Sequence, residues 1–200
     1  MYPNDPTTYP YEIANPSINW TLNTNEKGIL LEDYTGHKCT NCPAAATIAT
    51  QLEDDTALGV IVVYVHASTD GSFQSTDEVE FTVDYQTDAG DAYVQEMPGF
   101  IGNPMGTINR NDGGYSNTNW YFSSNWATGV NDEISQGNLD ANIQLQYNYY
   151  PSTNGLFIHT ETTFLNTLSG NYHLIVYLIR NDVVSPQKMN DGTIDHHYHL

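Results

Sequence analysis

One stretch limits the folds open to this chain more than any other. Gly28-Ile29-Leu30-Leu31-Glu32-Asp33-Tyr34-Thr35 is an apolar run entering polar residues, and Gly36-His37-Lys38-Cys39-Thr40-Asn41-Cys42-Pro43 follows as a tight loop. Ala44 to Leu52 then sets Ala, Ile and Leu at helical spacing. Gly59-Val60-Ile61-Val62-Val63-Tyr64-Val65-His66 is nearly all β-branched or aromatic, the character of a strand covered on both faces in a parallel sheet. Strand, loop, helix and strand form a βαβ unit, with two cysteines where the loop becomes the helix.

A helix N-terminus turns unpaired N–H groups toward the first sulfur and favours thiolate over thiol. Inside a βαβ unit, C-x-x-C reads as a thioredoxin-like redox motif, with Cys39 as attacking thiol and Cys42 as resolving thiol one turn on. Two other readings stay open. A permanent disulfide would close so short a loop that it adds little stability. A zinc site would need four ligands and would recruit His37, His66 or an acid. Cys39 is expected to be more exposed and more acidic than Cys42, and a buried Cys39 would set the oxidoreductase aside in favour of the scaffold.

Asp33 lies six residues before Cys39, and strand alternation sends it to the face opposite Glu32. One of the two acids therefore points toward the core or the helix. A buried carboxyl beneath a dithiol can accept the resolving thiol's proton; a solvated strand-end acid is the plain alternative. His37 is read as a surface loop histidine, not a catalytic one. Pro104, in Gly102-Asn103-Pro104-Met105, is expected to follow a cis bond and to lie beside the dithiol, exposing backbone for an extended substrate.

Five Lys and Arg face 24 Asp and Glu, a formal net charge of -19 that repels phosphate backbones and anionic membrane surfaces and excludes nucleic acid as a partner. Hydrophobic residues make up 39%, with 15 Tyr, enough buriable surface to set the chain apart from a disordered acidic tail. Polar usage leans on Asn, Thr, Ser and Asp, which suits turns and strands and an extracytoplasmic setting. No run of about 20 apolar residues suggests a transmembrane helix, and the first residues do not read as a signal peptide, so the chain is expected to be either cytoplasmic or a mature form.

Residues 1–26, with four prolines among Asn and Thr, read as an extended lead-in that could add an edge strand through Ile18 to Leu22. Residues 27–136 form the thioredoxin-like α/β domain, with a polar loop at Ser68 to Ser75, a helix within Asp84 to Gln95, a strand at Met105 to Arg110 and a helix over Ser123 to Ser135. Beyond Gly137 the pattern changes to period two, in Ala141 to Tyr147, Leu156 to Phe164 and Tyr172 to Ile179. Residues 138–200 are therefore expected to form a smaller all-β, Ig-like sandwich, incomplete at about 60 residues. His196, His197 and His199 are taken as alternating strand residues rather than a metal site; no cofactor or metal is expected.

Leu30 to Pro43 closely resembles the opening motif of the Omp-twenty-eight-related outer-membrane proteins of the Bacteroidetes, and so does Gly102-Asn103-Pro104-Met105-Gly106-Thr107-Ile108-Asn109-Arg110. Thr163-Phe164-Leu165, Tyr177-Leu178-Ile179 and His196-His197-Tyr198-His199 are similar to that family's second domain. The resemblance implies a thioredoxin-like domain followed by a β-sandwich, with Cys39 and Cys42 as the dithiol, Asp33 as the buried acid and Pro104 as the cis-proline. It also implies export to the periplasm, outer membrane or cell surface, commonly on a lipid anchor. Pro43 follows the second cysteine instead of lying between the two, a departure from the thioredoxin pattern.

Two functions follow as expectations. One is an exported thiol-disulfide oxidoreductase acting on protein substrates or redox partners that carry disulfides. The other is a cell-surface binding or adhesion module on the same scaffold, with Asp70 to Thr82 and Asn111 to Tyr121 as contact loops.

Overall fold

The computed structural model describes residues 27–77, 79–181 and 183–199; the expected lead-in at 1–26 lies outside them. The described chain forms two compact units, one of Glu26–Asn138 with Asn171–Leu200 and one whose described part is Leu139–Gly170.

The first unit is mixed α/β. Strand β1 (Ile29–Thr35) runs into helix α1 (Cys42–Asp54), then β2 (Val60–His66), α2 (Asp88–Glu96), β3 (Met105–Ile108), β4 (Trp120–Phe122) and α3 (Trp126–Gln136). The sheet order is β2-β1-β3-β4, with β1 and β2 parallel and the other pairs antiparallel. The expected βαβ unit is present. Among the described strands β2 lies at the sheet edge, and Ile61 is exposed, which corrects the reading of a strand covered throughout.

Alternation along β1 divides the core. Ile29 and Leu31 pack with Ala45, Ala49 and Leu52 of α1 and Trp126 and Val130 of α3. Tyr34, from the other face, packs with Val94 of α2, Met105 and Trp120. So α1 and α3 cover one face and α2 the other. Local chemistry sets the helix ends. Thr87 Oγ1 accepts from Gly90 N–H at 3.1 Å to start α2, later than the predicted Asp84. α3 stops at Gly137, whose φ of 62° is the left-handed conformation glycine adopts freely.

Past residue 138 the structure departs from the expected sandwich. β5 (Ala141–Tyr150) pairs with β6 (Gly155–Phe164), and β7 (Val183–Lys188) pairs with β8 (Ile194–His199), as two separate two-stranded antiparallel sheets. Residues 171–181, expected to hold a strand, are in none. Alternation specifies a pleated face without naming a partner strand, and Tyr177 instead packs against the α2 side of the first unit. Asn171–Leu200 accordingly groups with the α/β unit rather than with the β5–β6 hairpin. That hairpin is two-faced: Ile143, Leu145, Tyr147 and Tyr149 stand opposite Thr162, Thr160, Ile158 and Leu156, and the apolar members are exposed.

Candidate functional site: the disulfide loop and its cover

Both parallel strands end at one edge of the sheet, and the cysteine loop leaves from there. Gly36 turns the chain away from β1; a Cβ on it would lie 2.7 Å from both the Gln74 side-chain nitrogen and the Phe73 carbonyl oxygen, so only glycine fits without movement. Cys39 N–H donates to Gly36 O at 3.0 Å and Cys42 N–H to Cys39 O at 3.3 Å, winding the loop into α1, with Pro43 in the first turn, where a missing N–H costs nothing. Cys39 and Cys42 are joined as a disulfide with Cα atoms 5.4 Å apart.

The expected difference in exposure between the two sulfurs is absent. Cys39 and Cys42 are each 2% exposed. Chain segments remote in sequence bond to the backbone of the loop. Gln187 of β7 donates from Nε2 to Cys39 O at 3.0 Å, with Gly36 O at 3.5 Å, and Lys188 N–H donates to His37 O at 2.7 Å. On another side Lys38 N–H donates to Phe73 O at 3.0 Å.

His37, read as a surface loop residue, is buried. Its ring stacks near Phe81 and Tyr85, and its Nε2 lies 3.0 Å from Ser75 O, which fixes that nitrogen as the protonated one. Burial lowers its pKa, so at neutral pH it brings no cationic charge to the cysteines.

The Asn103–Pro104 bond is cis, as expected. Asn103 ties this loop to the same sheet edge, donating from Nδ2 to Tyr34 O at 2.7 Å and to Ala67 O at 3.0 Å. Buried Gln74 donates to Thr35 O at 2.5 Å and accepts from Ser68 Oγ at 2.8 Å. The 70–82 loop, expected as a contact surface, therefore turns Gln74 and Phe81 inward. The 111–121 loop likewise commits Asn111 to Glu133 at 2.7 Å and buries Trp120.

Glu32 and Asp33 are both fully buried, on opposite faces. Glu32 faces α2 and is thoroughly paired: Arg110 donates to both carboxylate oxygens at 2.6 and 2.7 Å, Thr107 at 2.6 Å and Tyr177 at 2.7 Å. Burial alone would raise its pKa, but these bonds outweigh it and hold the carboxyl low. Asp33 shares the face that α1 covers. Neither of its oxygens has a hydrogen-bond partner, and burial pushes its pKa up to about 8, so at neutral pH it is largely the neutral acid.

Sequence reasoning singled out Cys39, Cys42, Asp33 and Pro104 but missed Gln187, Gln74 and Asn103. Gln187 lies 148 residues from Cys39, and no local pattern marks such a pairing. Among the described residues no group of three or more His, Cys, Asp or Glu side chains is placed to hold a metal ion, and both sulfurs are spent on each other. Of the C-terminal histidines, His196 is exposed. No helix among the described residues is long and apolar enough to cross a membrane.

No protein-family model matches this sequence. Nor does any curated protein. Among solved structures, a structural-genomics target protein from Agrobacterium tumefaciens is similar over 63% of this chain at 12% identity, with a TM-score of 0.42. The match spans 54% of that protein's length.

Proposed function

We propose that this chain is an exported thiol-disulfide oxidoreductase-like protein on a thioredoxin-like scaffold, with Cys39 and Cys42 as its exchanging pair. The observation that carries the redox reading is Asp33. A fully buried carboxyl with no hydrogen-bond partner costs stability, a cost that a purely structural disulfide gives no reason to keep. A carboxyl that holds and releases a proton near neutral pH, on the face covered by the helix that begins at Cys42, suits proton transfer during exchange. The scaffold reading draws on the β2-β1-β3-β4 order and on α1 and α3 covering one face with α2 on the other. Export draws on the resemblance of the Leu30 to Pro43 motif and on disulfides persisting in oxidising compartments.

In the reduced form, Cys39 thiolate attacks a partner disulfide and expels one partner thiolate. Cys42 gives its proton to Asp33 in the fraction of molecules where that carboxyl is ionised at neutral pH, and attacks the Cys39 sulfur. The second partner thiolate leaves, and the Cys39–Cys42 disulfide described above remains. Two electrons pass from the dithiol to the partner; the reverse sequence oxidises a partner dithiol.

A second reading, a binding or adhesion module stapled by a structural disulfide, is favoured by one observation, the burial of Cys39 to the same 2% as Cys42. An insulin-reduction assay, paired with the reduction potential of the disulfide, decides between them. The oxidoreductase predicts a potential within reach of thioredoxin or glutathione and catalysed insulin reduction, slowed in Asp33→Asn with the disulfide still able to form. A pair resistant to both reductants and inert toward insulin sinks the oxidoreductase.

A further inference from the structure

Strand alternation gives β7 two faces, and the one carrying Ser185 and Gln187 is buried. Along the loop that bears the disulfide, three backbone carbonyls, Gly36 O, His37 O and Cys39 O, accept hydrogen bonds from this strand: Lys188 donates its main-chain N–H to His37, and Gln187 donates its side-chain amide to the other two. The hairpin partner β8 lies along β7 in a register that sets Lys188 opposite Ile194 and Gln187 opposite Asp195. A row of carbonyls recognises an extended chain that presents donors; it offers nothing to an anion or to a small acceptor ligand.

We propose that the Gly36–Cys39 carbonyl row is the docking surface for an extended polypeptide segment of the partner, and that β7 is its built-in occupant, a cap displaced before the disulfide is reached. The inference rests on the redox reading for its purpose, though not for its geometry. It gives the buried Cys39 a neighbour that can move aside, since Gln187, bonded to Cys39 O, is among the residues a docked strand would replace. It also specifies the partner: an extended segment offering a main-chain N–H to His37 and a side-chain donor to Cys39 O.

Two full-length variants test the cap. Gln187→Glu is nearly isosteric and sets a carboxylate against carbonyl oxygens. Lys188→Pro removes the N–H donated to His37. Circular dichroism and melting temperature identify the variants that fold, and the rate of disulfide reduction by a small water-soluble phosphine is the readout. Each folded variant is expected to be reduced about tenfold faster than the native protein, the size of one lost hydrogen bond. Hydrogen exchange in residues 183–188 of the native chain, which requires no variant, is expected to show an opening rate that bounds its reduction rate. Native-like reduction rates in a folded variant, or reduction faster than opening in the native chain, overturn the cap. Failure of the redox reading looks different: the variants are reduced faster, yet neither they nor the native protein transfers electrons to insulin.

Discussion

At the scale of single residues, two adjacent acids in one strand meet opposite fates. Asp33 ionises at 3.8 ordinarily and at about 8 when buried here, so between those values the folded chain holds a proton that the unfolded chain has lost. Stability therefore falls as pH rises through this window, by up to about 1.4 kcal/mol per pH unit, and levels off above it. Asp33→Asn should flatten that slope and stabilise the oxidised protein at pH 8, as measured by denaturant unfolding at several pH values. Its neighbour behaves in reverse: Arg110→Met removes the guanidinium, whose Cζ lies 4.0 Å from the Tyr93 ring centroid, and leaves Glu32 without its cation, a loss of about 3 to 5 kcal/mol in denaturant unfolding for a buried pair broken on one side. Strand alternation made the opposite placement of the two acids legible in advance. It gave no sign that both are buried or that Arg110, 78 residues away, pairs with one of them.

Secondary-structure elements were readable in proportion to how local their causes are. α1 announces itself through Pro43 and its Ala, Ile and Leu spacing, and β1 and β2 through apolar runs. α2 begins at Asp88 because Thr87 caps it. The C-terminal segments defeated pattern reading, since residues 172–179 alternate like a strand while Tyr177 is drawn out of the alternation by Glu32 and Arg110, with hydroxyl contacts of 2.7 Å to each. Tyr177→Phe removes that link and leaves the ring in place. Its expected cost is about 1 kcal/mol, with faster hydrogen exchange across 171–181 and unchanged exchange in α1. Gly137→Ala forces a side chain into the left-handed conformation at the end of α3 and should cost about 1 kcal/mol, read as a lowered melting temperature.

For the whole molecule, charge is the dominant long-range term. Nineteen net negative charges repel one another across a domain this size, and screening weakens that repulsion once the Debye length falls to about 3 Å at 1 M salt. The melting temperature should rise with sodium chloride, and a fall would show that exposed ion pairs outweigh the self-repulsion. The same repulsion bears on the β5–β6 hairpin, which carries an exposed apolar side and, among the described residues, two outer edges with no further strand paired to them. Sticky edges of this kind invite copies to stack, and here mutual repulsion between copies is what holds the solution clear. Near the isoelectric point of about 4.2 that protection vanishes, so colloidal behaviour should be sharply pH-dependent: light scattering should climb as the protein is titrated toward that value, and a Tyr147→Lys substitution on the apolar side should suppress the rise.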